Sequence, residues 1–199
     1  MKHSFSFVVR ISVAILLATV SLPVAAQNRR GVDVDLDVIR AIEKGETRDL
    51  SKLAIARTAP DTSGWDALKY TIRIEPSFNG RTISATTRID GVATTAGLTT
   101  VNLDLVGFTI DAVRLDGSTA TFSRTGGGRV VSVVMPAPLG AGQTFSIEVV
   151  YRGTPIIEDG LGFGFTSSGA ASFAEPEGAR LWYPCKDRPS DKAMYESFV

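Results

Sequence analysis

The chain has 199 residues, with 21 Lys and Arg against 21 Asp and Glu, one His and one Cys. This balance excludes the basic footprint that nucleic acid or an anionic membrane surface requires. The lone Cys185 excludes an internal disulfide. The lone His3 sits in an N-terminal targeting segment, so the residues after it can assemble neither an ordinary zinc site nor a His-based nucleophilic triad.

That targeting segment is legible in order. Lys2, His3 and Arg10 give a basic start, Ile11 to Val24 is almost wholly apolar, and Val24-Ala25-Ala26 supplies the small residues of a cleavage site. This pattern predicts a signal peptide over residues 1–26 and an exported chain, periplasmic or secreted. The apolar run is about fourteen residues, too short to span a bilayer. No membrane span is expected in the mature chain. Removing this piece takes away two basic groups and no acid, which leaves a slightly acidic remainder.

Residues 27–64 read as a polar lead-in and linker. Asp33, Asp35 and Asp37 alternate as in a calcium loop, but Val38 stands where the sharp turn needs Gly and Lys44 where a bidentate Glu is needed. A short helix capped by Asp37 and stopped by Gly45 is the better reading, with a second helical turn around Leu50 to Ala56. Thr58 to Gly64 is linker.

From Trp65 the hydrophobic period becomes two. Leu68, Tyr70, Ile72 and Ile74 alternate with polar residues, and Pro76 to Gly80 turns the chain. Ile83 to Ile89, Val101 to Leu105 and Phe108 to Leu115 continue the pattern. Asp116-Gly117 is a hairpin signal. Gly126-Gly127-Gly128 lacks the Lys-Ser or Lys-Thr of a phosphate loop. Val130 to Met135 is apolar but for Ser132 and is expected to be a core strand or one buried on both sides, with a turn over Pro136 to Gly142. Phe145 to Tyr151 alternates again. Leu161-Gly162-Phe163-Gly164-Phe165 reads as a strand whose glycines let another backbone approach. Short strands joined by turns define an all-β fold, an antiparallel, saddle-shaped β-sandwich over residues 65–199.

The segment Phe173 to Ala193 is different. It holds Trp182, Tyr183, Cys185, three prolines and a dense mixture of charges, which forbids a helix or central strand and predicts an ordered loop. Within it Glu175 has two readings: an ion pair with Lys186 or Arg188, or an acceptor for a ligand. Glu175 and Glu177 as a glycosidase pair fit poorly, because both acids lie in one short loop. Cys185 has no base and reads as a small buried hydrophobe.

The string E-P-E-G-A-R-L-W-Y-P-C-K-D-R-P-S-D-K-A over residues 175–193 resembles the first domain of the aminopeptidase N and leukotriene hydrolase family of zinc metallopeptidases. Weaker strings agree: A-L-K-Y-T-I-R-I-E-P at 67–76, T-V-N-L-D-L-V-G at 100–107, P-A-P-L-G-A-G-Q at 136–143 and V-V-Y-R-G-T-P at 149–155. The resemblance implies an N-terminal domain of a zinc aminopeptidase that acts on peptides with a free N-terminus. Its zinc, its HExxH helix and its Gly-x-Met-Glu-Asn strand would belong to a catalytic domain further along. None of those strings occurs here, so no catalytic or metal-binding residue is expected in this fragment, nor bound zinc or activity on its own. By position the resemblance makes Glu175 the acceptor of the substrate α-amino group. Arg180, Asp187, Asp191 and Lys192 would tie the loop together. The alternative function is an exported β-sandwich binding or scaffold module without catalysis.

Overall fold

The computed structural model describes residues 61–166, 169–175 and 177–199. The signal peptide and the two lead-in helices expected from the sequence lie outside the described residues. Among the described residues no helix is long and apolar enough to cross a membrane.

Among the described residues twelve strands follow one another: β1 (Trp65–Ser77), β2 (Thr82–Ala93), β3 (Leu98–Asp104), β4 (Thr109–Leu115), β5 (Ser118–Thr119), β6 (Phe122–Thr125), β7 (Val130–Leu139), β8 (Thr144–Gly153), β9 (Ile157–Glu158), β10 (Leu161–Phe165), β11 (Ala170–Phe173) and β12 (Met194–Phe198). They form a six-stranded sheet in the order β12-β1-β2-β8-β4-β5, a three-stranded sheet β3-β7-β6 and a second three-stranded sheet β11-β10-β9. The pairings are antiparallel except β12, which joins the edge of β1 in parallel. The expected all-β, antiparallel sandwich is what the chain adopts.

The alternation sets the layers. Ile72 and Ile74 on β1, Ile83 and Ile89 on β2, Val113 on β4 and Ile147 and Val149 on β8 turn inward. They meet Val101 and Leu103 of β3 and Val131, Val133 and Met135 of β7 in one buried cluster. The chain changes sheets after the hairpin at Asp116-Gly117. That hairpin has φ of 49° and 83° at its two central residues, the left-handed pair that a tight two-residue turn needs. Between β5 and β6 only Ala120 and Thr121 are left to make the crossing.

At β7 one expectation is settled and one corrected. Of the two forms expected for Val130 to Met135 it is the core strand, not one buried on both sides: Val131, Val133 and Met135 are buried, but Val134 is 44% exposed. The buried residues alternate, so the outer row runs through Ser132, which donates to Asn102 Oδ1 at 2.8 Å, and Val134 stands on that uncovered face. The expected turn at Pro136 is a strand that continues to Leu139. Pro136 and Pro138 are tolerated because they fall in a register shift between the pairs Thr100–Val134 and Leu98–Leu139, where the ladder is interrupted.

The small sheet bears out the glycine pattern at one position. Gly162 has φ of 125°, and a Cβ there would lie 2.2 Å from the Ile156 carbonyl oxygen. Phe163 and Phe165 point to the core between the glycines. This sheet leads through its exposed edge strand β11 directly into the loop of interest.

Candidate functional site

Glu175 follows β11 by two residues. It stands exposed in a turn closed by the Gly178 N–H donating to the Ala174 carbonyl at 2.8 Å. Gly178 is buried, and a Cβ on it would meet Leu161 Cβ at 2.7 Å, so the turn lies flat on β10. A single 3-10 turn, Ala179–Leu181, comes next, and the chain then runs irregularly to β12 through a turn in which the Asp191 N–H donates to the Arg188 carbonyl at 3.0 Å.

The loop is pinned along its length by groups from the sandwich. The Val106 N–H donates to the Arg180 carbonyl at 2.9 Å. The Tyr151 hydroxyl donates to the Trp182 carbonyl at 3.0 Å and receives the Thr87 hydroxyl at 3.2 Å, in a buried setting. Asp104 and Cys185 exchange two backbone hydrogen bonds of 2.7 and 3.1 Å. The Lys186 N–H donates to the Tyr70 phenolic oxygen at 3.0 Å, and the Asp187 N–H to Asp104 Oδ2 at 3.1 Å. Burial pushes the Tyr70 and Tyr151 hydroxyls well up, so both serve as neutral hydrogen-bonding groups. Trp182 lies on Phe163, and Tyr183 meets Trp182, Tyr70 and Tyr195 edge-on.

Charged groups complete the frame. Arg180 Nε donates to Asp187 Oδ2 at 2.6 Å, the Arg180 N–H reaches the same oxygen at 3.2 Å, and Arg180 Nη2 donates to Glu177 Oε2 at 3.2 Å. Burial raises the Asp187 carboxyl despite Arg180 beside it, with Asp104 adding to the rise. Burial alone would lower Arg180, but Asp187 outweighs it and the guanidinium ends up raised. Lys186 Nζ, 5% exposed, lies 2.7 Å from Asp191 Oδ2 and 2.5 Å from Asp61 Oδ2. It also donates to the Trp65 carbonyl at 2.5 Å and sits 5.0 Å above the Trp65 ring. Burial raises Asp191 as well; Lys186 opposes the shift and Asp66 adds to it.

The structure thus brings Arg180 to Asp187, and Asp191 to Lys186. Lys192 is exposed, and Glu175 is exposed at the loop's upstream end. Four partners of the loop are not marked in the sequence. Asp104, Asp61 and the tyrosine hydroxyls act on the loop from positions 31 to 127 residues away, and only the fold joins them. Cys185 is buried and its thiol is pushed well up, first by burial and then by Asp187 and Asp104, so it is a packing residue rather than a nucleophile. Among the described residues no group of three His, Cys, Asp or Glu side chains could hold a metal.

The sandwich thus carries an exposed carboxylate at the start of a loop braced by charged groups. Known proteins give it a family. The Peptidase M1 N-terminal domain matches residues 66–199, and the chain belongs to that family. Among solved structures it resembles an M1 zinc metallopeptidase from Deinococcus radiodurans, a mutant bound to a Tyr-Ser-Ala substrate, with 26% identity and a TM-score of 0.57 over 67% of this chain and 32% of that one. The same enzyme's mutant without that substrate gives 27% identity and a TM-score of 0.56 over the same shares. A two-domain M1 zinc metallopeptidase mutant bound to L-arginine gives 26% and 0.56, again over 67% and 32%. This chain spans about a third of those structures. No curated protein matches it.

Proposed function

We propose that this domain is the N-terminal part of an exported zinc aminopeptidase, that it lines the active-site cleft, and that Glu175 accepts the free α-ammonium of the peptide substrate. The carrying observation is the placement of Glu175. It is exposed, and the chain from Glu177 onward is held by the Gly178–Ala174 hydrogen bond and by Glu177, Arg180 and Asp187. An ammonium at the end of a pocket needs an anionic acceptor held still, because charge-assisted hydrogen bonds depend on geometry. Glu177, already engaged by Arg180, braces the loop. The match to M1 zinc metallopeptidases, one of them bound to a tripeptide, supports the substrate class. The zinc of those enzymes supplies Lewis-acid chemistry and an activated water. The described residues do not fit a metal, and no step through it is assigned to them. Its ligands belong to the part of such an enzyme beyond this domain. The basic and apolar start of the chain supports export.

The test is Glu175→Ala and Glu175→Gln in the full-length protein, assayed on aminoacyl chromogenic amides. Loss of one charged acceptor lowers kcat/KM by roughly tenfold to a hundredfold. An unchanged value removes Glu175 from the site.

A further inference from the structure

Asp61 lies before the segment matched to the family, residues 66–199, yet its carboxylate sits inside the charge system of the loop. Its Oδ2 is 2.5 Å from Lys186 Nζ and its Oδ1 is 3.3 Å from Arg188 Nη1. The Ser63 N–H donates to the same Oδ1 at 2.9 Å, so a short turn aims the carboxylate. That turn is itself anchored. The Ser63 hydroxyl donates to the Trp65 carbonyl at 3.1 Å, and the Gly64 carbonyl accepts the Thr94 and Thr95 N–H groups at 2.8 and 3.4 Å. The chain before β1 therefore reaches the loop from a fixed base at the β1–β2 edge.

The geometry points to Asp61 as a positioning residue for the amine anchor: it clamps Lys186, and through Asp187, Arg180 and Glu177 it holds the turn that presents Glu175. This inference rests on the reading of Glu175 given above. The links are continuous. Lys186 is bonded to Asp187, and Asp187 holds Arg180 by side chain and backbone. Arg180 holds Glu177, two residues from Glu175. Lys186 is a buried cation between two carboxylates. Neutralising Asp61 leaves Lys186 with Asp191 as its carboxylate, beside the Trp65 carbonyl, and withdraws a charge that also reaches Arg188. The far end of the charged chain then loses its fixed post, and the loop gains freedom where Glu175 needs none. Partial burial alone would raise the Asp61 carboxyl, but hydrogen bonds from Lys186 and Ser63 outweigh it and hold it at about 2, so it is ionised at any pH suited to an assay.

The experiment uses the full-length enzyme and a double-mutant cycle. Asp61→Asn keeps the shape and removes the charge. The expected result is a KM for an aminoacyl amide raised roughly threefold to tenfold with kcat nearly unchanged, partly restored in Asp61→Glu. In a Glu175→Gln background Asp61→Asn should add little, because the group it positions is gone. The inference is overturned if KM does not move, if kcat falls instead, or if Asp61→Asn costs the same factor in the Glu175→Gln background. The two readings fail differently. An unimpaired Glu175→Gln variant defeats the amine anchor and this inference with it. An impaired Glu175→Gln with additive or absent Asp61→Asn effects defeats the positioning role alone.

Discussion

Arg180 and Asp187 meet at 2.6 Å, and the same carboxylate oxygen also takes the Arg180 backbone N–H at 3.2 Å. One acid thus fixes both the side chain and the main chain of the residue that follows the Glu175 turn. The Asp187 side chain is 5% exposed and that of Arg180 24%. A pair this far from solvent gains little from mere existence but costs much when half of it is removed.

Asp187→Ala should therefore destabilise the protein by about 2 kcal/mol, since it leaves a half-buried guanidinium with Glu177 as its remaining acid and an unpaired Arg180 amide. Asp187→Asn, which keeps an acceptor, should cost about half as much. Urea denaturation of the two variants against the parent checks this. A loss under about 1 kcal/mol for the alanine variant would place the fixing of the loop elsewhere.

The strands were largely legible because burial alternates. Tyr70, Ile72 and Ile74 announce β1, and Asp116-Gly117 announces its hairpin with no help from the fold. The run at Val130 was harder. The adjacent Val133 and Val134 read in sequence like two-sided burial, but Val134 shares the uncovered outer row with Ser132. The loop was legible as a loop from its prolines and charges, but not its partners. Whether Lys186 serves Glu175, Asp191 or Asp61 depends on which strand ends lie near it. The local Ser63 contact of Asp61 is an ordinary turn, and its partners on the loop are 125 and more positions away; Arg188, for one, is 127. The tyrosine hydroxyls are similar. Alternation places Tyr70 and Tyr151 inward, but it does not say that their oxygens receive or hold a distant main chain.

Gly162 and Gly164 look equivalent in Leu161-Gly162-Phe163-Gly164-Phe165, and the structure separates them. A Cβ at Gly162 would strike the Ile156 carbonyl oxygen at 2.2 Å, on a backbone with φ of 125°. Backbone cannot move aside as a side-chain end can. At Gly164 the nearest atom is Ile157 Cδ1 at 3.2 Å, the tip of a flexible and half-exposed side chain. Gly162→Ala should cost more than about 2 kcal/mol, through strain and loss of the close approach of β9. Gly164→Ala should stay within about 1 kcal/mol. Thermal melting of the two variants decides the matter, and equal losses would show that the close approach does not govern this sheet.

The acid end of the stability profile carries the signature of the Asp61 contact. Its folded carboxyl is lowered from 3.8 to about 2. A lowered carboxyl stabilises the fold above its unfolded value and loses that contribution as pH falls through the folded one. The window for Asp61 therefore runs from about pH 4 down to about pH 2. Asp187 and Asp191 act with the opposite sign. Their carboxyls are raised by burial, so the cost of keeping them ionised disappears as they take up protons in acid. The parent's profile is the difference of the two effects, and Asp61→Asn isolates one of them. Parent and variant should differ by about 1 kcal/mol at pH 6, a value already reduced for the 36% exposure of the Asp61 side chain. The gap should narrow between pH 4 and pH 2, and narrow at pH 6 when salt is raised. Urea midpoints at pH 6, 4, 3 and 2.5 measure it. A gap that stays constant into acid would mean that Lys186 does not hold the Asp61 carboxylate, and that the clamp on the loop is Asp191 alone.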